Sequence, residues 1–432
     1  MASSTWVGPR SPTTCRCSSA FGRTATDPED EDPRIVTIFA ALLPAYVLSI
    51  FYRSFLSVIA GPVMTDLAIG PREFGLLGAS WFTIFAVAQF PIGWALDRLG
   101  PRRTVAVSMT IGTAGAFLFA FASSLPVAVF AMALVGIGCA PVFMASLFLF
   151  ARTAAPERFA LLVSILIGLG SIGNLASAGP LAIAAADFGW RNAMLAVAVI
   201  FLIATVLATT LIRDPARVEH HSGEAEGLLQ GLASIARIRP LWLLAPLTLT
   251  GYAIIATERG LWVAPFMSDV HGFDAVASGH AATAMALAMV VGALIYGAIE
   301  KALGRVKWLT FWGSVLTGLA FMALALFGAR SASLSIGLLG LIGGAGFTYA
   351  VLMAHAKLFF PAHLLGRGMT CVNFFFIGGA ALAQSGSGWF IASQRAEGLS
   401  AAATFANLHW AFAALLLASA AVYAFAPADA KR

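Results

Sequence analysis

Between residues 34 and 425 the chain runs through twelve stretches of about 20 mainly apolar residues, each long enough to cross a hydrocarbon layer and all but the sixth followed by a short loop or tail. Backbone amides inside a bilayer have no water to bond, so such stretches cross as helices. The alternating pattern of a membrane barrel is absent from them. The expected spans are 34–60, 74–96, 104–123, 126–151, 159–185, 191–212, 241–268, 276–299, 308–328, 333–358, 367–392 and 404–425. An all-α membrane protein of two six-helix bundles follows, with domains at 34–213 and 241–425. Residues 1–33 and 426–432 read as cytoplasmic tails, and 214–240 as a linker whose Leu228, Leu229, Leu232 and Ile235 define a short amphipathic helix.

Composition enters as a check. A chain that is 59% hydrophobic and 11% charged is not a water-soluble domain. The net charge of +6 does not point to nucleic acid, because its basic residues are scattered over short loops rather than gathered in a stripe. They report topology instead. With the N-terminus inside, the inner loops hold Arg98, Arg102, Arg103, Arg152, Arg158, Arg213, Arg217, Arg237, Arg239, Lys301, Arg305, Lys307, Lys357 and Arg367, against Arg72, Arg191, Arg330 and Arg395 outside. That asymmetry places both termini on the cytoplasmic side of an inner membrane. Cys15, Cys17, Cys139 and Cys371 form neither a disulfide framework nor a zinc site, and no cofactor is called for.

The two halves repeat each other. Tyr46 and Arg53 recur 206 positions later as Tyr252 and Arg259, Met64-Thr65-Asp66 as Met267-Ser268-Asp269, Gly93 and Gly100 as Gly297 and Gly304, and Pro156 as Pro361. Ordered landmarks of this kind indicate a parallel duplication of six helices. The loop after the second span, with Gly93, Asp97, Arg98, Gly100, Arg102 and Arg103, resembles the loop signature of the major facilitator superfamily. The resemblance covers residues 34–425 and implies a monomeric secondary transporter in which this loop acts as a conformational latch, tuning alternating access without touching solute. The glycines would let helix ends approach closely, and Asp97 would accept from a neighbouring helix N-terminus. Two departures stand out: Met132 occupies a place where the proton-coupled branch often has arginine, and Gly179-Pro180 lacks the Gly-Gly of drug antiporters.

An arginine at hydrocarbon depth costs at least about 2.5–3.5 kcal/mol on insertion scales, so it faces a partner, a cavity or a solute. Tyr46, Ser49 and Arg53 share one helical face, as do Tyr252 and Arg259. The expectation is that both guanidinium groups meet in one chamber and bind a small organic anion, a carboxylate or a phosphate ester, which they match bidentately. The stretch Ile50–Val58 also resembles the first helix of the superfamily's anion-transporting branches. Tyr349, Asn174, Asn373 and Gln384 are further candidates to line the site. Glu258 is the one acidic residue placed well within a span, and its expected role is proton coupling or charge compensation for an arginine. Trp262 is expected to anchor the outer interface, and His355 and Lys357 to mark the cytoplasmic end of the tenth span.

No phosphate-binding loop for ATP occurs, so the energy source is a proton or counter-solute gradient. The favoured function is proton-coupled uptake. Efflux of amphipathic compounds, a non-transporting receptor or assembly factor, and copper or metal-chelate uptake through Met285, Met289, Met353 and His355 are the alternatives.

Overall fold

The computed structural model describes residues 33–153, 156–212, 234–361 and 365–428. Among them it is helical with short turns and no strand. Span 1 is Pro33–Phe51, resumed after a break by Ala60–Asp66. Spans 2 and 3 are Pro71–Arg98 and Pro101–Ala120. Span 4 is Leu125–Cys139 with Val142–Thr153, and span 5 is Pro156–Gly170, Ile172–Ala176 and Gly179–Phe188. Span 6 is Trp190–Leu211. Span 7 runs Arg239–Thr257, widens into a π-turn at Glu258–Trp262 and continues as Val263–His271. Spans 8 and 9 are Ala275–Leu303 and Val306–Phe327. Span 10 is Ala332–Gly346 with Tyr349–Lys357, and spans 11 and 12 are Leu365–Ala396 and Ala401–Ala424.

Eleven of these are long and apolar enough to cross a membrane, and the first contributes the shorter apolar helix Ile35–Phe51. The hydropathy reading therefore placed every span but drew them too straight. Spans 1, 4, 5 and 10 are interrupted and span 7 is locally widened; at the breaks in spans 1 and 5 groups on neighbouring helices satisfy backbone that leaves the ladder, which hydropathy does not register. The tails and most of the linker lie outside the described residues.

Local chemistry explains several ends. Pro71 and Pro101 stand at the first position of spans 2 and 3, where the missing N–H has no helical partner to lose. Gly100, which opens span 3, and Gly304, which closes span 8, both take positive φ (87° and 62°). These two glycines are a repeat landmark, and the landmark is thus a backbone requirement.

Spans 2, 4, 8 and 10 finish at one end of the molecule, each with a basic residue in its last turn, here the basic end. At the opposite end the halves meet tightly. A Cβ on Gly75 of span 2 would stand 2.9 Å from the Cα of Gly388 in span 11, so the two backbones touch. Between spans 5 and 8, a Cβ on Gly279 would stand 2.4 Å from that of Ala182, and the Gly179 amide donates to Thr283 Oγ1 at 2.8 Å. The repeated Asp landmarks also lie at this end. Asp66 pairs with Arg191, and Asp269 pairs with Arg395 at 2.6 Å, tying the end of span 1 to span 6 and the end of span 7 to span 11.

In the signature loop, a Cβ on Gly93 would meet nothing within 4 Å, so the close approach expected there is not made. Arg98 and Arg103 are exposed, and the Arg102 Nε donates to Thr209 O of span 6 at 3.4 Å, within the same half. The Asp97 side chain lies outside the described ones.

Candidate functional site

The break in span 1 and the π-turn in span 7 face each other at the same depth, and this is where the Tyr-to-Arg repeat ends in each half. Residues 52–59 leave the helical ladder, and their free groups cross to span 7: the Ser57 amide donates to Gly260 O at 2.8 Å, and Ser57 Oγ accepts from the Ala264 amide at 3.0 Å. Interrupted helices with backbone satisfied by a partner are the form that transporter sites take at mid-membrane. A π-turn likewise marks a place where helical regularity gives way to another demand.

The two arginines on these segments have different surroundings. Arg259 is 2% exposed, and its guanidinium donates to the backbone oxygens of Ser54 (3.4 Å) and Asn174 and to Ser177 Oγ (3.2 Å). All three acceptors belong to the other half. Arg53 is half-buried, with its guanidinium over the rings of Trp81 (5.7 Å) and Phe85 (5.2 Å) of span 2. Its ionisable neighbours are phenols: Tyr252, in hydrogen-bonding interaction, with Tyr46 and Tyr349 beside it. Among the described residues no carboxylate pairs with Arg53, and its Nε has no hydrogen-bond partner. An aromatic face gives a cation about 0.5–2 kcal/mol, which holds Arg53 in place without neutralising it.

The expected site residues sort into two groups. Tyr252, Tyr349 and Asn373 join Arg53 as partly exposed groups. Tyr349 packs on Tyr252 with centroids 5.6 Å apart, and its hydroxyl donates to Asn373 Oδ1 at 2.8 Å. Tyr46 borders this group, stacked on Phe143 and seated against Gly170. The second group lies in the seal between the halves. Asn174 accepts from Ser54 Oγ through its side chain and from Arg259 through its carbonyl, and Gln384 is buried against Gly78 and Gly260. Ser49 turns instead toward Cys139 of span 4.

Other expectations need correction. Trp262 is not an interfacial anchor: it is 1% exposed, and its Nε1 donates to Ser387 Oγ of span 11 at 2.8 Å. His355 does stand in the last turn of span 10, but buried, between the Tyr423 hydroxyl (2.6 Å) and Pro427 O (3.0 Å). Glu258 compensates neither arginine. It turns toward span 12, where Oε1 lies 3.3 Å from His409 Nε2. Met285 and Met289 of span 8 pack against Gly343 of span 10, and His355 bonds to Tyr423 and Pro427 instead of joining them.

Sequence reasoning passed over Trp81, Phe85, Ser177 and His409. The Trp81/Phe85 spacing of four on span 2 and the isolated histidine in span 12 were the available signals.

The comparisons agree with this architecture. NiaP of Bacillus subtilis (strain 168), named for niacin/nicotinamide transport, is 25% identical over 259 residues, which is 59% of this chain and 63% of NiaP. YybO of the same organism, an uncharacterized transporter, is 23% identical over 54% of this chain and 57% of its own length. Both alignments thus span less than two thirds of the relative. In fold, the chain is similar to a bacterial homolog of the human lysosomal transporter spinster in an inward-facing, unoccupied conformation. That match has a TM-score of 0.75 at 17% identity and covers 92% of this chain and 97% of the other. A D-xylose-proton symporter gives 0.74 at 14% identity, covering 91% and 98%. The sequence pattern of the Major Facilitator Superfamily itself matches residues 42–279, so a chain that repeats six helices, seals its halves at one end and carries the signature loop belongs to that superfamily.

Proposed function

We propose that this transporter carries a small organic anion with one carboxylate, held by Arg53 within a box of Trp81, Phe85, Tyr252 and Tyr349. The observation that carries the reading is the contrast between the two arginines. Arg259 is occupied by three oxygens of the opposite half, whereas Arg53 keeps an uncompensated charge on partly exposed ground. One guanidinium without a carboxylate partner matches one carboxylate bidentately. It is poorly matched to the double charge of a phosphate ester, so the carboxylate is the better of the two anions considered. The aromatic walls favour a flat organic body, and of the two compounds for which NiaP is named, niacin and nicotinamide, niacin is a ring bearing one carboxylate.

With the basic end on the cytoplasmic side, as the excess of Lys and Arg there supports, the closed seam lies outside and the site communicates with the cytoplasm. The cycle alternates between this state and one in which the seam of spans 2/11 and 5/8 has parted. Net uptake draws on a proton gradient. The signature loop works at the opposite end, stabilising the outward-open state when the halves rock together there.

The test is uptake of labelled nicotinate by proteoliposomes under an inward proton gradient, competed by benzoate, nicotinamide, a hexose phosphate and a cationic dye. Competition by benzoate but by neither nicotinamide nor the hexose phosphate is the expected result. The aromatic lining also suits amphipathic compounds in general. Competition by the dye alone, unaffected by Arg53→Gln, would favour that second reading and reject the anion.

A further inference from the structure

Behind the turn that seals the two halves lies a buried acid–base pair that the anion site does not use. Glu258 opens the π-turn, and its carboxylate meets His409 of span 12, both side chains being 0% exposed. The imidazole is enclosed by Phe266, Phe321 and Phe405, with ring centroids at 5.1, 6.1 and 6.3 Å. Only one atom of each partner is engaged. Among the described residues, Glu258 Oε2 and His409 Nδ1 have no hydrogen-bond partner.

The charged surroundings are sparse. On its own turn Glu258 has Arg259, which bonds across to the other half, and across the seam lies Arg53, which faces the aromatic box. The flanking helices of span 7 carry Arg239, Tyr252, Asp269 and His271; of the other spans packed on the turn, span 2 carries Arg72, Glu73, Asp97 and Arg98, and span 8 carries His280, Tyr296, Glu300 and Lys301. Span 9, which supplies Phe321, carries Lys307, and His271 lies on Phe266 at 5.6 Å. Among the described residues, His409 is the one ion-pair partner of Glu258.

Charge counting then limits what the pair can do. With one shared proton it is neutral overall, whether as carboxylic acid and imidazole or as carboxylate and imidazolium. Without that proton it is a bare anion among phenylalanines, and with a second it is a bare cation. Either state is strongly disfavoured in dry surroundings. A proton on this pair is therefore retained while the site is closed and exchanged only when the turn moves and admits water.

We infer that Glu258 and His409 together form the site that binds the transported proton, with the π-turn linking its occupancy to the seal. This rests on the proton-driven reading above. The link is mechanical: Glu258 and Arg259 are consecutive residues of one turn, the first held by span 12 and the second by the Ser54, Asn174 and Ser177 oxygens of the other half. Parting the halves frees Arg259 and lets the turn regularise, which displaces Glu258 from His409 and opens the dyad. A proton taken from water on that side is held on the pair as the turn re-forms, and it leaves toward the other side only when the turn shifts again toward the solute chamber, with no other bond made or broken.

The first test needs no solute. The infrared spectrum of the purified protein is expected to carry a Glu258 band, identified by its loss in Glu258→Gln, whose frequency moves in His409→Gln. A Glu258 band indifferent to His409→Gln overturns the dyad. The second test compares gradient-driven nicotinate accumulation with equilibrium nicotinate exchange, which needs no net proton flux. The ratio of accumulation to exchange should fall at least about tenfold in both variants, some 1.4 kcal/mol of lost coupling. An unchanged ratio overturns the inference. Absence of nicotinate exchange in the wild type would instead count against the anion reading, and the infrared result would then decide the dyad by itself.

Discussion

Arg259→Gln should unseal the end of the molecule that is closed here. The guanidinium makes two good bonds, to Asn174 O and Ser177 Oγ, and a longer one to Ser54 O at 3.4 Å. A bond from a charged donor contributes about 1.5–3 kcal/mol against an unsatisfied alternative. Opening the seam hydrates donor and acceptors alike, so the net contribution to closure is nearer to about 1 kcal/mol per bond, or about 2–3 kcal/mol in all. At about 1.4 kcal/mol per tenfold, that is a shift of about 30- to 150-fold in the ratio of closed to open molecules. The assay is thiol labelling at Ala178→Cys, a position 0% exposed in the seam beside Gly279, with Cys15, Cys17, Cys139 and Cys371 replaced by alanine. Labelling should accelerate by one to two orders of magnitude in Arg259→Gln and stay within about threefold in Arg53→Gln. Equal labelling in Arg259→Gln and the parent would refute the reasoning that this arginine is a tie between the halves.

Three further outcomes follow from the same geometry. Gly75→Leu puts a side chain into the backbone of span 11, so the seam should fail to close, with faster labelling at the Ala178→Cys reporter and a stability loss of about 1–3 kcal/mol on thermal unfolding. Gly100→Ala forces a Cβ into positive φ and should cost about 1–2 kcal/mol, while Gly93→Ala, with open space around it, should stay within about 0.5 kcal/mol; equal effects in unfolding assays would contradict the assignment. Ser387→Ala leaves the Trp262 N–H buried without an acceptor and should destabilise by about 1–3 kcal/mol, more than Trp262→Phe weakens the polar contact, since Ser387 keeps its bond to Gln384 O.

The parts of the fold that were legible from sequence are those encoded in hydropathy and in repetition. Span number and the two-fold repeat rest on long apolar runs and ordered landmarks. Gly100 and Gly304 proved to be matched positive-φ turns, and Asp66 and Asp269 matched partners of Arg191 and Arg395. The breaks were not legible. Tyr52 through Ile59 contains neither proline nor glycine and would sit comfortably in a helix, and it unwinds because span 7 offers Gly260 O and the Ala264 amide as partners. The same cross-half bonding decided the fate of the arginines. Sequence gave them identical settings seven residues after a tyrosine. The structure separates them, because the oxygens of span 5 reach Arg259 while only aromatic faces reach Arg53. Glu258 was noticed for its depth, but its partner lay 151 residues away, a pairing that no local spacing announces.

The central claim is that Arg53 alone supplies the charge that binds the solute. Calorimetric titration of nicotinate and its neutral isostere nicotinamide into wild type, Arg53→Lys and Arg53→Gln tests it most directly. The account predicts nicotinate binding in the wild type, weakened about tenfold by lysine, which cannot form the planar double contact, and by about a hundredfold or more by glutamine, with nicotinamide indifferent to both changes. Nicotinate affinity undiminished in Arg53→Gln would contradict it.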